Sequence, residues 1–184
     1  MKFRLSIFVA LSVLPTAYAA GLLGPTCQKI PDVVGPKLDA AYDHYYKTIC
    51  SHGCKPIVGG KYTAAVSDKI LKPAVQKISI HLGVSTSRTE TFLQITDQAM
   101  KAVEQQCGDQ STTDFCKNTA AFTKYASCAK GQILTVIIKH ALDVAPLISE
   151  EMCQKELQYF QTPELWESAL PSYVESFWRT CEKW

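Results

Sequence analysis

The stretch Pro36-Lys-Leu-Asp-Ala-Ala-Tyr-Asp-His-Tyr-Tyr-Lys-Thr-Ile-Cys50-Ser-His-Gly-Cys54 decides the fold class. Leu38, Ala41, Tyr42, Tyr45 and Ile49 recur at helical spacing, so the segment from Pro36 to Ser51 reads as an amphipathic helix. Pro36 suits its first turn and Gly53 its left-handed stop. Cys50 and Cys54 lie four apart and point the same way on a helix. The pair therefore reads as tying one helix to two other segments, rather than to itself.

Working outward, further helical signals recur. Ile70, Leu71, Ala74, Val75, Ile78 and Leu82 form one pattern ending at Gly83. Pro73 interrupts it, so that helix either begins near Lys72 or kinks there. Ser87 with Glu90 makes a capping box for a third helix, whose inner stripe is Phe92, Ile95, Ala99 and Val103. Thr113-Asp114 is placed to cap a fourth, running through Phe115, Phe122 and Ala126 to Cys128. A fifth covers Ile133 to Ala145 and is apolar almost all round, which predicts the buried centre of a bundle. Ser149-Glu150-Glu151 opens a sixth, and Thr162-Pro163-Glu164 a seventh. Pro171 breaks that last helix, and Ser172 with Glu175 offers a second box beyond it. Strand signals are poor; a short hairpin of Ile57-Val58 with Tyr62-Thr63 across Gly59-Gly60 ranks low. The expectation is all-α: a compact, disulfide-crosslinked bundle of about six or seven helices.

The first residues bear on compartment. Lys2 and Arg4 precede the apolar run Leu5 to Leu14, and Ala17-Tyr18-Ala19 supplies small residues for cleavage. This order reads as a signal peptide over 1–19 and predicts a single secreted helical domain over 20–184. The run is about half the roughly 20 residues needed to cross a bilayer, so no membrane span is expected. The chain holds 19 Lys+Arg against 17 Asp+Glu, and removing Lys2 and Arg4 leaves 17 against 17. A neutral domain gives no reason to expect nucleic acid or a polyanionic membrane surface as a partner. Asn118 is followed by Thr119-Ala120, so it is no N-glycosylation acceptor.

Eight cysteines lie beyond the leader: Cys27, Cys50, Cys54, Cys107, Cys116, Cys128, Cys153 and Cys181. An even count in an exported chain reads as a disulfide framework, which leaves no thiol nucleophile. A zinc site on Cys50, His52 and Cys54 lacks a second ligand pair, so no metal and no cofactor are expected.

From Cys27 to Cys128 the spacing is similar to that of insect odorant-binding proteins: one cysteine, a long gap, a C-x3-C helix, a long gap, then three close cysteines. Asp114-Phe-Cys116-Lys-Asn-Thr-Ala120 also resembles that family's D-x-C-x-x-A ending, with the alanine one place late. The final gap is longer than the family's, and two further cysteines follow. The resemblance implies bridges Cys27–Cys54, Cys50–Cys116 and Cys107–Cys128, leaving Cys153 for Cys181. It also implies a carrier of small apolar ligands.

Chemistry-bearing residues are sparse. Asp43-His44 reverses the His-Asp order of secreted phospholipases and reads as a solvated helix face. His52 and His81 sit near helix ends, and His140 lies on the apolar fifth helix. Glu150, Glu151 and Glu164 read as first-turn acids, and no G-x-S-x-G or H-E-x-x-H is present. No catalytic residue is assigned. The functional expectation is a secreted, non-enzymatic binding protein, carrying a small apolar ligand in a helical cavity. The alternative is an interaction module or effector acting on an extracellular protein partner. A small hydrolase is third, and needs at least two histidines to meet carboxylates in a cleft.

Overall fold

The computed structural model describes residues 24–54, 60–108, 113–140, 143 and 149–181. The proposed signal peptide and the 57–58 arm of the hairpin lie outside these residues. Among the described residues there are seven α-helices: α1 Ile30–Ser51, α2 Gly60–Val66, α3 Lys72–His81, α4 Thr86–Gln106, α5 Thr119–Lys139, α6 Glu150–Gln161 and α7 Leu170–Cys181. A 3-10 turn, Cys27–Lys29, leads into α1. No strand occurs among the described residues, and Tyr62 and Thr63 lie inside α2. The all-α expectation holds.

Two prolines that read as breaks are absorbed instead. A π-helical segment, Ser67–Leu71, joins α2 to α3 just before Pro73. A second, Glu164–Ala169, leads into α7 just before Pro171. Proline removes the amide that would bond four residues back and crowds that carbonyl. A wider π turn at that place gives the ring room, and the chain continues helically. The expected second capping box is therefore absent: Ser172 Oγ donates to Ala169 O at 2.7 Å from within the helix. Pro36 is likewise internal to α1, which starts six residues earlier than expected and takes Pro31 in its first turn.

Three caps differ from expectation or confirm it. Ser149 caps α6 as read, its Oγ accepting from Met152 N at 3.1 Å. Helix α4 starts one residue before Ser87, with Ser85 at the cap position, so the Ser87–Glu90 box does not form. Asp114 folds a local turn, Oδ1 accepting from Cys116 N at 3.1 Å, and Asn118 caps α5 by accepting from Ala121 N at 3.0 Å. The expected fourth and fifth helices are one helix, Thr119–Lys139, which starts at the Asn118 cap rather than at Thr113-Asp114 and runs on past Cys128.

All eight cysteines are paired, as Cys27–Cys153, Cys50–Cys116, Cys54–Cys181 and Cys107–Cys128. Two bridges match those implied by the resemblance. The other two are exchanged: Cys27 and Cys54 each reach the C-terminal helices, across 126 and 127 residues, rather than each other. The physical reason is packing. Helices α6 and α7 lie against α1, bringing Cys153 to its beginning and Cys181 to its end. Cys50 and Cys54 do tie one helix end to two separate segments. The start of the chain is further clamped by Glu150, which accepts from Thr26 N at 3.2 Å and from the Thr26 hydroxyl. A Cβ at Gly24 would run into that carboxylate.

The main core gathers Ile49, Cys54, Tyr62, Ile70, Val174, Phe177 and Cys181. Phe177 meets Tyr62 edge-on at 5.2 Å, and the Tyr62 and Tyr45 hydroxyls are 2.7 Å apart. A second cluster, Tyr159, Leu165 and Ala169, seats the C-terminal segments on Ile78. A third is smaller: Ile95, Ala99 and Val136 between α4 and α5. Helix α5 is not the buried centre of the bundle. It packs along α4, meets α1 through Phe122 against Tyr42 and Tyr46, and buries Val136 alone. Ile137 and Ile138 are 44% and 57% exposed. An apolar helix is central only when neighbours cover every side, and α5 has one long neighbour.

Candidate functional site

An open cleft lies where α3 faces the second π segment and α7. Its volume is about 390 Å³, and Pro73, Ile80, Tyr173, Lys77, His81 and Glu164 line it. A smaller hollow of about 240 Å³ shares Lys77, Glu164 and Tyr173 and extends toward Ser168 and Ser172. Both are open to solvent rather than enclosed.

Local sequence explains the geometry. Lys77, Ile80 and His81 are spaced three and four apart on α3, so they share one face. Glu164 opens the π segment directly across from it, and Lys77 Nζ meets Glu164 Oε1 at 2.7 Å. Hydrogen bonding to Glu164 raises the lysine pKa, and the same contact lowers that of the carboxyl. Both groups are well exposed, so the pair orients more than it stabilises. Ile80 stands 79% exposed beside it. The His81 ring stacks on Tyr159, centroids 3.8 Å apart. Tyr159 is 1% exposed, burial raises its pKa, and its hydroxyl has no hydrogen-bond partner among the described residues.

The four histidines have separate surroundings. His44 is exposed on α1, with Asp43 exposed beside it. His52 Nδ1 lies 2.8 Å from Thr48 O, and its ring stacks on Trp178 at 4.1 Å. His140 lies between Asp143 Oδ2 at 2.7 Å and Gln98 Oε1 at 2.8 Å. His81 alone faces a cleft, and the carboxylate there is held by Lys77. Glu150 clamps Thr26, and Glu151 pairs with Lys155 at 3.0 Å. Cys50 and Cys54, expected to crosslink, do so. Among the described residues no three His, Cys, Asp or Glu side chains gather as a metal site.

Sequence reasoning did not find the cleft. Lys77 and Glu164 are 87 residues apart, and each alone resembles a solvated helix charge. Ile80 carried a faint signal: it lies off the Ile70–Leu82 inner stripe, on the side of α3 that the helix spacing assigns to solvent. No family model, curated protein or solved structure matches the chain.

Proposed function

We propose that the chain is a secreted, non-enzymatic interaction module whose crosslinked helices present a rigid docking surface to an extracellular protein. The observation that carries this reading is the cleft at Ile80. A large exposed apolar side chain lines it together with Pro73 and Tyr173, and Lys77, Glu164 and His81 supply polar groups to the same cleft. An apolar centre inside a polar rim is the anatomy of a protein interface. Ile78 of α3 packs on the Tyr159, Leu165 and Ala169 cluster and Lys77 pairs with Glu164, so the two walls of the cleft are already held together and little order must be gained on binding.

The carrier reading, a small apolar ligand held between helices, would use this same cleft. A ligand of that kind is ordinarily buried over most of its surface, which an open cleft does not offer. The hydrolase reading lacks its paired histidines.

Titration of the oxidised protein with N-phenyl-1-naphthylamine separates the two binding readings. The interaction module gives no stoichiometric, displaceable binding at micromolar protein. Saturable one-to-one binding lost in Ile80→Asp and Tyr173→Ala would replace this reading with the carrier.

A further inference from the structure

We infer that the outer face of α5 docks on an anionic lipid surface, lying in the headgroup plane rather than crossing it. The inference goes beyond the protein-docking cleft and uses none of its residues, so either can fail alone.

Along α5 at 100° per residue, Ala120, Ser127, Gly131, Leu134 and Ile138 fall within about 40° of one line. That line is opposite Val136 and Ile133, which pack on α4. Four of the five are exposed, and Leu134 is half-buried. Thr123 and Thr135, also exposed, lie beside the line, so the solvent face joins small and hydroxyl residues to the apolar Leu134 and Ile138. Lys124 and Lys139 flank the line on one side, Lys130 and Ile137 on the other, and all four are exposed. Helix α5 contains no Asp or Glu. None of its three lysines forms an ion pair among the described residues. Of the acids near α5, Glu104 is half-buried and acts on Tyr125, and the exposed Asp143 is paired with His140.

Apolar side chains between lysines on both flanks suit a lipid interface. The isoleucines enter the acyl boundary while lysine stems lie along it and lift their ammonium groups to the phosphates. A second copy of α5 is disfavoured, because lysines would face lysines with no acid to answer them. No helix of the described residues is long and apolar enough to cross a membrane. The near balance of 19 Lys+Arg with 17 Asp+Glu over the whole chain hides this segregation, since the acids sit on other segments.

The test is cosedimentation of the oxidised full-length mature chain with phosphatidylcholine vesicles, with and without phosphatidylglycerol. Binding is expected only with the anionic lipid, weakening from 50 to 300 mM salt as charges are screened. Lys130→Gln weakens it about fivefold. Ile137→Asp with Ile138→Asp weakens it at least about tenfold. Ile80→Asp leaves it unchanged. All substituted side chains are exposed, so circular dichroism should match the parent. Equal binding to neutral vesicles, no binding to anionic ones, or indifference to the isoleucine changes would overturn the proposal. Capture of soluble poly-glutamate without vesicle binding would overturn it too, and would assign the face to an acidic protein.

Discussion

The core around Phe177 and the α4–α5 hairpin spend similar apolar material in opposite ways. In the first, α1, α2, the first π segment and α7 meet, and Ile49 and Phe177 reach 0% exposure. In the second, two helices of 21 residues each pack chiefly against one another, α4 also touching α3 and the first π segment on its other side, and the buried cluster is Ile95, Ala99 and Val136. The difference is the number of neighbours. A helix touched from several sides hides its whole circumference, whereas one with a single partner hides about a third and must show the rest. Each region has its own crosslink: Cys54–Cys181 joins distant chain ends, and Cys107–Cys128 closes 21 residues within the hairpin.

The largest contrast is expected from side-chain truncation. Phe177→Ala should lower unfolding free energy by about 3–5 kcal/mol in a urea titration. Ile138→Ala should change it by less than about 0.5 kcal/mol. Similar losses at both sites would break the distinction between an inward and an outward apolar helix.

Next come the crosslinks. Replacing Cys54 and Cys181 together by alanine should cost about 4 kcal/mol, because Cys27–Cys153 already restrains nearly the same chain ends. Replacing Cys107 and Cys128 should cost about 3 kcal/mol, from the shorter loop. A larger loss at the hairpin would mean that the bridge, not the α4–α5 interface, holds that region together.

Tyr159 sharpens the comparison from the third cluster. Its hydroxyl is buried without a partner among the described residues. Tyr159→Phe should therefore stabilise the protein by about 1 kcal/mol, read from the denaturation midpoint. Lost stability would mean that the hydroxyl is hydrogen-bonded.

The smallest effect is alkaline. Burial raises the pKa of Tyr45 and Tyr62 well above 10 in the Phe177 core; the Tyr62 phenol adds to this at Tyr45, while the hydrogen bond with Tyr45 offsets part of it at Tyr62. In the hairpin, burial pushes Tyr125 up to about 12. Folded phenols keep protons that unfolded ones release, so stability is full below pH 10 and falls as pH rises through the folded values. Melting temperature should decline from about pH 10, and Tyr62→Phe should soften that decline more than Tyr125→Phe. The reverse order would place the deeper phenol in the hairpin.

Helix identity was legible wherever periodicity and a cap coincided. Ser149 capped α6 as expected, and Ile95, Ala99 and Val103 formed the inner stripe of α4. The helix start near Lys72 was legible, whereas the break at Pro171 was misread because a π turn is a backbone adjustment with no residue signature of its own. The cleft was illegible because Lys77 and Glu164 become partners only through the docking of distant segments. The basic, acid-free character of residues 119–139 was open to a segment-by-segment charge count and was masked by the total.

By itself the sequence determined the all-helical class and the demand that eight cysteines pair, since both follow from local spacing and composition. Tertiary structure alone decided that Cys27 and Cys54 reach the C-terminal helices and that the most apolar helix lies at the edge. Partner choice and burial depend on which helices touch, and periodicity fixes which face of a helix is apolar without fixing what, if anything, will cover it.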